Sequence, residues 1–286
     1  MKKSPRRRAR KRILMLICAL VFVLCLSLLI RQYALLLQGR RARSGMQELY
    51  YGFGAAALAE EALNSDMPIA VDELRPTPAP DESFSRLLES NPDTVGWLKV
   101  GDIIDFAVVQ RDNAYYLDHN FFGVPSAEGT AFMDEGCTLW PEDDHLIIHG
   151  HNMRNGSVFG QLKCFRDLDF LKENAIIRFN TLYSARQYVP FAVFDISAEP
   201  GEARYMDLQQ FNFRSSAGYA AFIEDARQRS CFEIPVDVAP GDSLLSLVTC
   251  SYYDVNGRLV VMLRALRDGE DPQQISQQMQ AATAKN

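Results

Sequence analysis

Residues 244–266 read Leu244-Leu245-Ser246-Leu247-Val248-Thr249-Cys250, then a polar stretch from Ser251 to Gly257, then Arg258-Leu259-Val260-Val261-Met262-Leu263-Arg264-Ala265-Leu266. Both apolar runs are short and rich in aliphatic and β-branched residues, and the second follows directly on Asn256-Gly257. That pattern predicts two strands that fold back on one another through a polar loop. Six more such runs lie upstream, at Trp97–Val100, Ile104–Val109, Thr130–Met133, Leu146–His149, Ala175–Phe179 and Gln187–Ile196. Several are bounded by Gly, Asn, Asp or Pro, the residues that end strands. Eight short strands within about 170 residues predict a mainly β domain, a closed barrel or a sandwich.

One segment departs from the strand pattern. Residues 215–230 place Tyr219, Phe222, Ile223 and Ala226 at helical spacing, with Glu224, Asp225, Arg227 and Arg229 on the other face. A helix is therefore expected in the connection between the sixth and seventh strands. Helices are also expected upstream of the strands, over 31–65 and over Ser83–Glu89, the latter ended by Asn91-Pro92. Between them, residues 66–82 carry Pro68, Pro76, Pro78 and Pro80 and read as an extended linker. The tail after Asp271 is rich in Gln and Ala and reads as a frayed helix.

Charge is unevenly spread. Residues 1–31 hold nine basic and no acidic residues, which leaves 21 basic against 36 acidic residues, a net of −15, in the remainder. An acidic remainder argues against a nucleic-acid partner, which needs a cationic footprint. Ile13–Ile30 is 18 residues without a charge. At about 1.5 Å per residue it spans roughly 27 Å, close to the thickness of a bilayer's hydrocarbon. No small-x-small cleavage site follows it, which argues against a removed signal peptide, and Cys25 follows Leu24, unlike a lipoprotein site. The basic residues before the span predict a cytoplasmic N-terminus and an external remainder.

Three residues could do chemistry at strand ends. Cys250 closes an apolar run beside a polar loop, although a strand cysteine is more often a small core hydrophobe. His151 follows Ile148-His149-Gly150, and Arg258 opens the last strand after Asn256-Gly257. Together they supply a nucleophile, a proton carrier and a fixed positive charge, the parts of thiol-based acyl transfer. A metal alternative comes from His145, His149 and His151, whose H-x3-H-x-H spacing suits zinc. Within the strand reading, His149 is a strand residue and His145 a surface one. Cys137, Cys164 and Cys231 leave room for one disulfide that spacing does not identify.

These segments resemble the sortase family. Leu247-Val248-Thr249-Cys250 is similar to its L-x-T-C signature, Arg258 stands where its arginine does, and Gly150-His151-Asn152-Met153 resembles its histidine segment. Asn91-Pro92-Asp93-Thr94-Val95-Gly96-Trp97, Asp105–Gln110, Asn113-Ala114-Tyr115-Tyr116-Leu117 and Gly129-Thr130-Ala131-Phe132-Met133-Asp134 resemble class B sortases in particular. Ser246 departs from the threonine that many sortases carry there.

The resemblance implies an eight-stranded β-barrel and a membrane-anchored cysteine transpeptidase that needs no cofactor or metal. It implies catalysis by His151, Cys250 and Arg258, with substrate contacts at Thr249, Ser246 and Asn152. Its partners would be secreted proteins with a C-terminal sorting motif, of the Asn-Pro-x-Thr kind, and an amine of a cell-wall precursor or a pilin. The motif would be read mainly around residues 197–235. The expected division is a basic tail (1–12), a membrane helix (13–30), a helical stalk and linker (31–82), the catalytic domain (83–267) and a tail (268–286). Papain-like wall hydrolases are disfavoured because they place cysteine before histidine. L,D-transpeptidases keep their histidine and cysteine in one short motif that is absent here. An inactive membrane-anchored binding module would not need all three groups.

Overall fold

Strands that are covered on both faces read as unbroken apolar runs, and this chain has several. Leu259 to Leu263 are each at most 1% exposed. The computed structural model describes residues 5–52, 77–250 and 256–285, without the side chains of 5–14 and of Cys250. The expectations over 53–76, which cover the end of the stalk helix and most of the linker, lie outside the described residues.

All eight expected runs are strands, within a few residues at their ends. They are β1 (Thr94–Val100), β2 (Ile104–Val109), β3 (Phe132–Met133), β4 (His145–Gly150), β5 (Ile177–Thr181), β6 (Ala185–Ser197), β8 (Leu244–Cys250) and β9 (Gly257–Ala265). They close into a barrel in the order β1-β2-β3-β4-β8-β9-β6-β5. β2 with β3 and β4 with β8 pair in parallel, and the other neighbours are antiparallel. Closure leaves no open sheet edge among these strands. The hairpin expected at the C-terminal end is the antiparallel pair β8 and β9.

The chain divides at Ala42/Arg43 into two units. The helix α1 (Pro5–Tyr51) runs through both. Its N-terminal part is the one helix among the described residues that is long and apolar enough to cross a membrane, with a mean hydropathy of 2.4 over its best window. Its last turns belong to the second unit and cap the barrel there. Tyr50 stacks on Trp97 with ring centroids 4.2 Å apart. Tyr51 donates its hydroxyl to Asp105 Oδ1 at 2.6 Å, and Trp97 Nε1 donates to the same oxygen at 2.8 Å.

The short helix α2 (Ser85–Ser90) precedes β1, and α3 (Leu168–Glu173) precedes β5. Helix α4 (Ser216–Arg229) lies in the connection after β6, as its apolar stripe requires: Tyr219, Phe222, Ile223 and Ala226 are its buried residues. Ser215 caps it by accepting the Gly218 amide at 3.1 Å.

The tail differs from its expectation. It is not frayed. Asp271 caps α5 (Pro272–Met279), which buries Ile275 and Met279. Beyond it, β10 (Thr283–Ala284) pairs with β7 (Phe232–Glu233), which follows α4. The Gln-rich composition masked two apolar residues four apart, a single helical stripe that suffices for docking. Packing thus reaches beyond 83–267 at both ends.

Candidate active site

Sheet register builds the site. β4 and β8 run in parallel with Gly150 opposite Thr249, and β8 meets β9 with Cys250 opposite Arg258. Carried one residue further along β4, the same register sets His151 level with Cys250. Residues level with one another across neighbouring strands share a face. The positions of His151, Cys250 and Arg258 therefore form one row across three adjacent strands.

Two glycines let neighbouring segments close around the histidine. A side chain at Gly150 would meet the Phe159 ring at 2.7 Å. That approach allows the loop after His151 to fold back, and the His151 carbonyl accepts the amides of Met153 and Phe159 at 3.1 and 3.0 Å. Gly129, at φ +61°, lies against the Tyr116 carbonyl, 2.4 Å from where a Cβ would stand. Beside it, the turn Tyr115–Leu117 presents the Leu117 carbonyl to His151 Nε2 at 2.7 Å. Tyr116 fixes that turn: its hydroxyl donates to Asp93 Oδ2 at 2.8 Å and accepts from Asn91 Nδ2 at 2.9 Å. The Asn91-Pro92-Asp93 segment thereby orients the histidine from a distance. A carbonyl only accepts, so His151 Nε2 carries a proton.

Arg258 is half-buried and donates from Nη1 to the Gly257 carbonyl at 3.0 Å. Asn152 is buried next to His151. Thr249 is also buried, on the opposite face from Cys250 by strand alternation, and its Oγ1 has no partner among the described residues. Ser246 stands apart from the row, fully buried in the barrel wall, with its Oγ 2.8 Å from His145 Nε2.

His145 is a correction. It is not a surface residue but 0% exposed. Its Nδ1 donates to the Gln210 carbonyl at 3.1 Å, and its ring lies against Phe222 at 5.4 Å. Burial pushes its pKa down to about 4, so the ring is neutral and Nε2 accepts from Ser246. The three histidines of the metal alternative are thus divided among separate partners: His145 with Gln210 and Ser246, His149 Nε2 with Asp134 Oδ2 at 2.9 Å, and His151 with Leu117. Among the described residues no cluster of three His, Cys, Asp or Glu side chains could hold a metal ion.

Asp134 was not singled out in the sequence as a site residue. It is 2% exposed. Burial opposes its ionisation, but hydrogen bonds from His149 and from the Gly136 amide outweigh that, and its carboxyl is held down to about 2. The disulfide left open by the sequence does not form among the described cysteines, which are all free. Burial pushes the Cys137 thiol up to about 12 and also raises that of Cys231, which leaves both poor nucleophiles.

No family model matches the sequence. Sortase B of Listeria monocytogenes serovar 1/2a is 30% identical over 180 residues, which cover 61% of this chain and 70% of the relative. The chain belongs to the sortase B family. It is accordingly a cysteine transpeptidase of the sortase type. Among solved structures, Clostridium perfringens sortase B is 32% identical, with a TM-score of 0.58 over 63% of this chain and 98% of that one. A Staphylococcus aureus sortase B solved as a substrate complex shares the fold, with a TM-score of 0.65 at 21% identity over 81% of this chain and 98% of that one. The barrel, the helix after β6 and the apolar N-terminal helix are the architecture that the sortase resemblance implied.

Proposed function

We propose that this sortase B family member cleaves a C-terminal sorting motif of secreted proteins and transfers the acyl group to an amine, with Cys250, His151 and Arg258 as its catalytic residues. The observation that carries the reading is the single row these positions form across β4, β8 and β9. The Cys250 thiolate attacks the scissile carbonyl carbon. A C–S bond forms, and the carbonyl π pair moves to oxygen, where Arg258 stabilises the oxyanion. Collapse re-forms the carbonyl and breaks the C–N bond. The leaving nitrogen takes its proton from His151. With Nε2–H held by the Leu117 carbonyl, that transfer falls to Nδ1. An acceptor amine then attacks the thioester carbon and gives a proton to His151 Nδ1; the new C–N bond forms as the C–S bond breaks, the Cys250 thiolate leaves, and the new amide keeps the free energy of the old one.

The proposed acceptor is an amine of a cell-wall precursor or of a pilin. Asn152 and Thr249 flank the row and are the proposed motif contacts on this side. Ser246, sealed behind His145, holds the wall behind them. The segment around 197–235 is proposed to read the motif. Residues 13–30 are proposed to span the membrane, with 1–12 cytoplasmic and the stalk, linker and barrel outside. The basic tail and the uncharged run support that topology, and it brings the row to the surface where translocated substrates emerge.

Replacing Cys250 by Ala tests the assignment. Cleavage of peptides from a sorting-motif library should vanish while the fold persists. Cleavage retained in C250A would refute it.

A further inference from the structure

Between β6 and α4 the chain runs as a strap, residues 206–213, over the outer face of β4. Its ties to the start of β4 and the residues just before it are many. The His145 amide donates to Phe211 O at 2.9 Å and His145 Nδ1 to Gln210 O at 3.1 Å. Asn212 Nδ2 donates to Asp143 Oδ1 at 2.6 Å, and the Phe213 amide to Asp144 Oδ2 at 3.0 Å. All of these lie at the end of β4 remote from His151. Toward the catalytic row there is a different tie: Gln209 Nε2 donates to Asp134 Oδ2 at 3.3 Å. That same oxygen accepts from His149 Nε2 at 2.9 Å. His149 lies on β4, two residues before His151, which directly follows the strand. A buried carboxylate thus joins the strand that leads into the proposed catalytic histidine to the near edge of the strap.

We propose that Asp134 is a positioning residue for transpeptidation: by taking His149 and Gln209 on one carboxylate oxygen, it fixes the near edge of the strap beside the His151–Cys250–Arg258 row. It thereby sets how tightly the sorting motif is held, not how fast the bond breaks. The proposal rests on the catalytic reading above and on the strap's place within the motif-reading segment. Gln209 is the suitable point of attack, because it is exposed and its substitution leaves the core intact. Gln209→Glu sets a second carboxylate against Asp134 and breaks the tie, since like charges in contact repel. Gln209→Lys keeps a donor there and adds an opposite charge.

The experiment uses the full chain in detergent micelles, with a cleavable sorting-motif peptide and, separately, hydrogen exchange of the strap amides. For Gln209→Glu, KM should rise by about tenfold with kcat within about twofold of wild type. The Gln209 and Gln210 amides should exchange faster while those of β8 and β9 stay protected. Gln209→Lys should leave exchange of the strap amides as in wild type. Glu and Lys variants whose strap amides exchange alike, or a loss in Gln209→Glu confined to kcat, would overturn the positioning role. Exchange does not depend on turnover. A wild-type chain that turns over no peptide, but whose strap is freed by Glu and not by Lys, would refute the catalytic reading while showing that the tie exists.

Discussion

His145 should make the barrel sensitive to mild acid. Its imidazole is fully buried, its pKa is pushed from the ordinary 6.5 down to about 4, and the unfolded chain keeps the ordinary value. The folded state therefore binds fewer protons than the unfolded state between those limits. Stability from this group is complete above pH 6.5 and is lost as pH falls toward 4. A shift from 6.5 to about 4 at 1.36 kcal/mol per unit amounts to about 3 kcal/mol. The window is separate from that of Asp134, whose carboxyl is held down to about 2 and whose contribution disappears only below its ordinary 3.8.

The assay is urea unfolding of residues 43–286 at several pH values between 7.5 and 4.5, for wild type and for His145→Gln. The variant cannot titrate at this site, so its lower starting stability does not matter; the difference in slope does. Wild type should lose about 2–3 kcal/mol more than the variant across that range. Parallel loss in the two proteins would show that His145 is not the buried neutral ring described here.

Two further outcomes follow from the site and from the cap. Arg258→Lys keeps the charge but loses the planar fork, and kcat for motif cleavage should fall by about 100-fold or more; a lysine enzyme near wild type would remove Arg258 from oxyanion stabilisation. Tyr50→Ala removes a ring that is 7% exposed and stacked on Trp97. It should cost about 3 kcal/mol and lower Tm by about 6–12 °C, read by calorimetry; a change under about 1 kcal/mol would mean that the end of α1 is not part of the barrel's core.

Much of the fold was legible because several of its strands are covered on both faces. Continuous aliphatic runs such as Leu259–Leu263 have few alternatives, and the stripe of Tyr219, Phe222, Ile223 and Ala226 has the period of a helix. The strand-end residues His151, Cys250 and Arg258 stood out once the runs were placed, since each sits beside a polar loop. What stayed hidden depends on contacts far apart in sequence. His145 looks like a polar residue at a strand start, and only Ser246, Gln210 and Phe222, brought over it by β8, the strap and α4, make it a core residue. The main-chain carbonyl of Leu117 leaves no side-chain signature, yet it orients His151. The tail helix docks through Ile275 and Met279, too weak a period to stand out among glutamines, and the pairing of β10 with β7 leaves no local signature.

The most direct test of the proposed catalytic row is to trap the thioester. The enzyme, mixed with a cleavable sorting-motif peptide and quenched in acid, should carry the acyl fragment on Cys250 in peptide mass spectra, and hydroxylamine should release it. An acyl group found on another residue, or turnover with Cys250 never acylated, would contradict it.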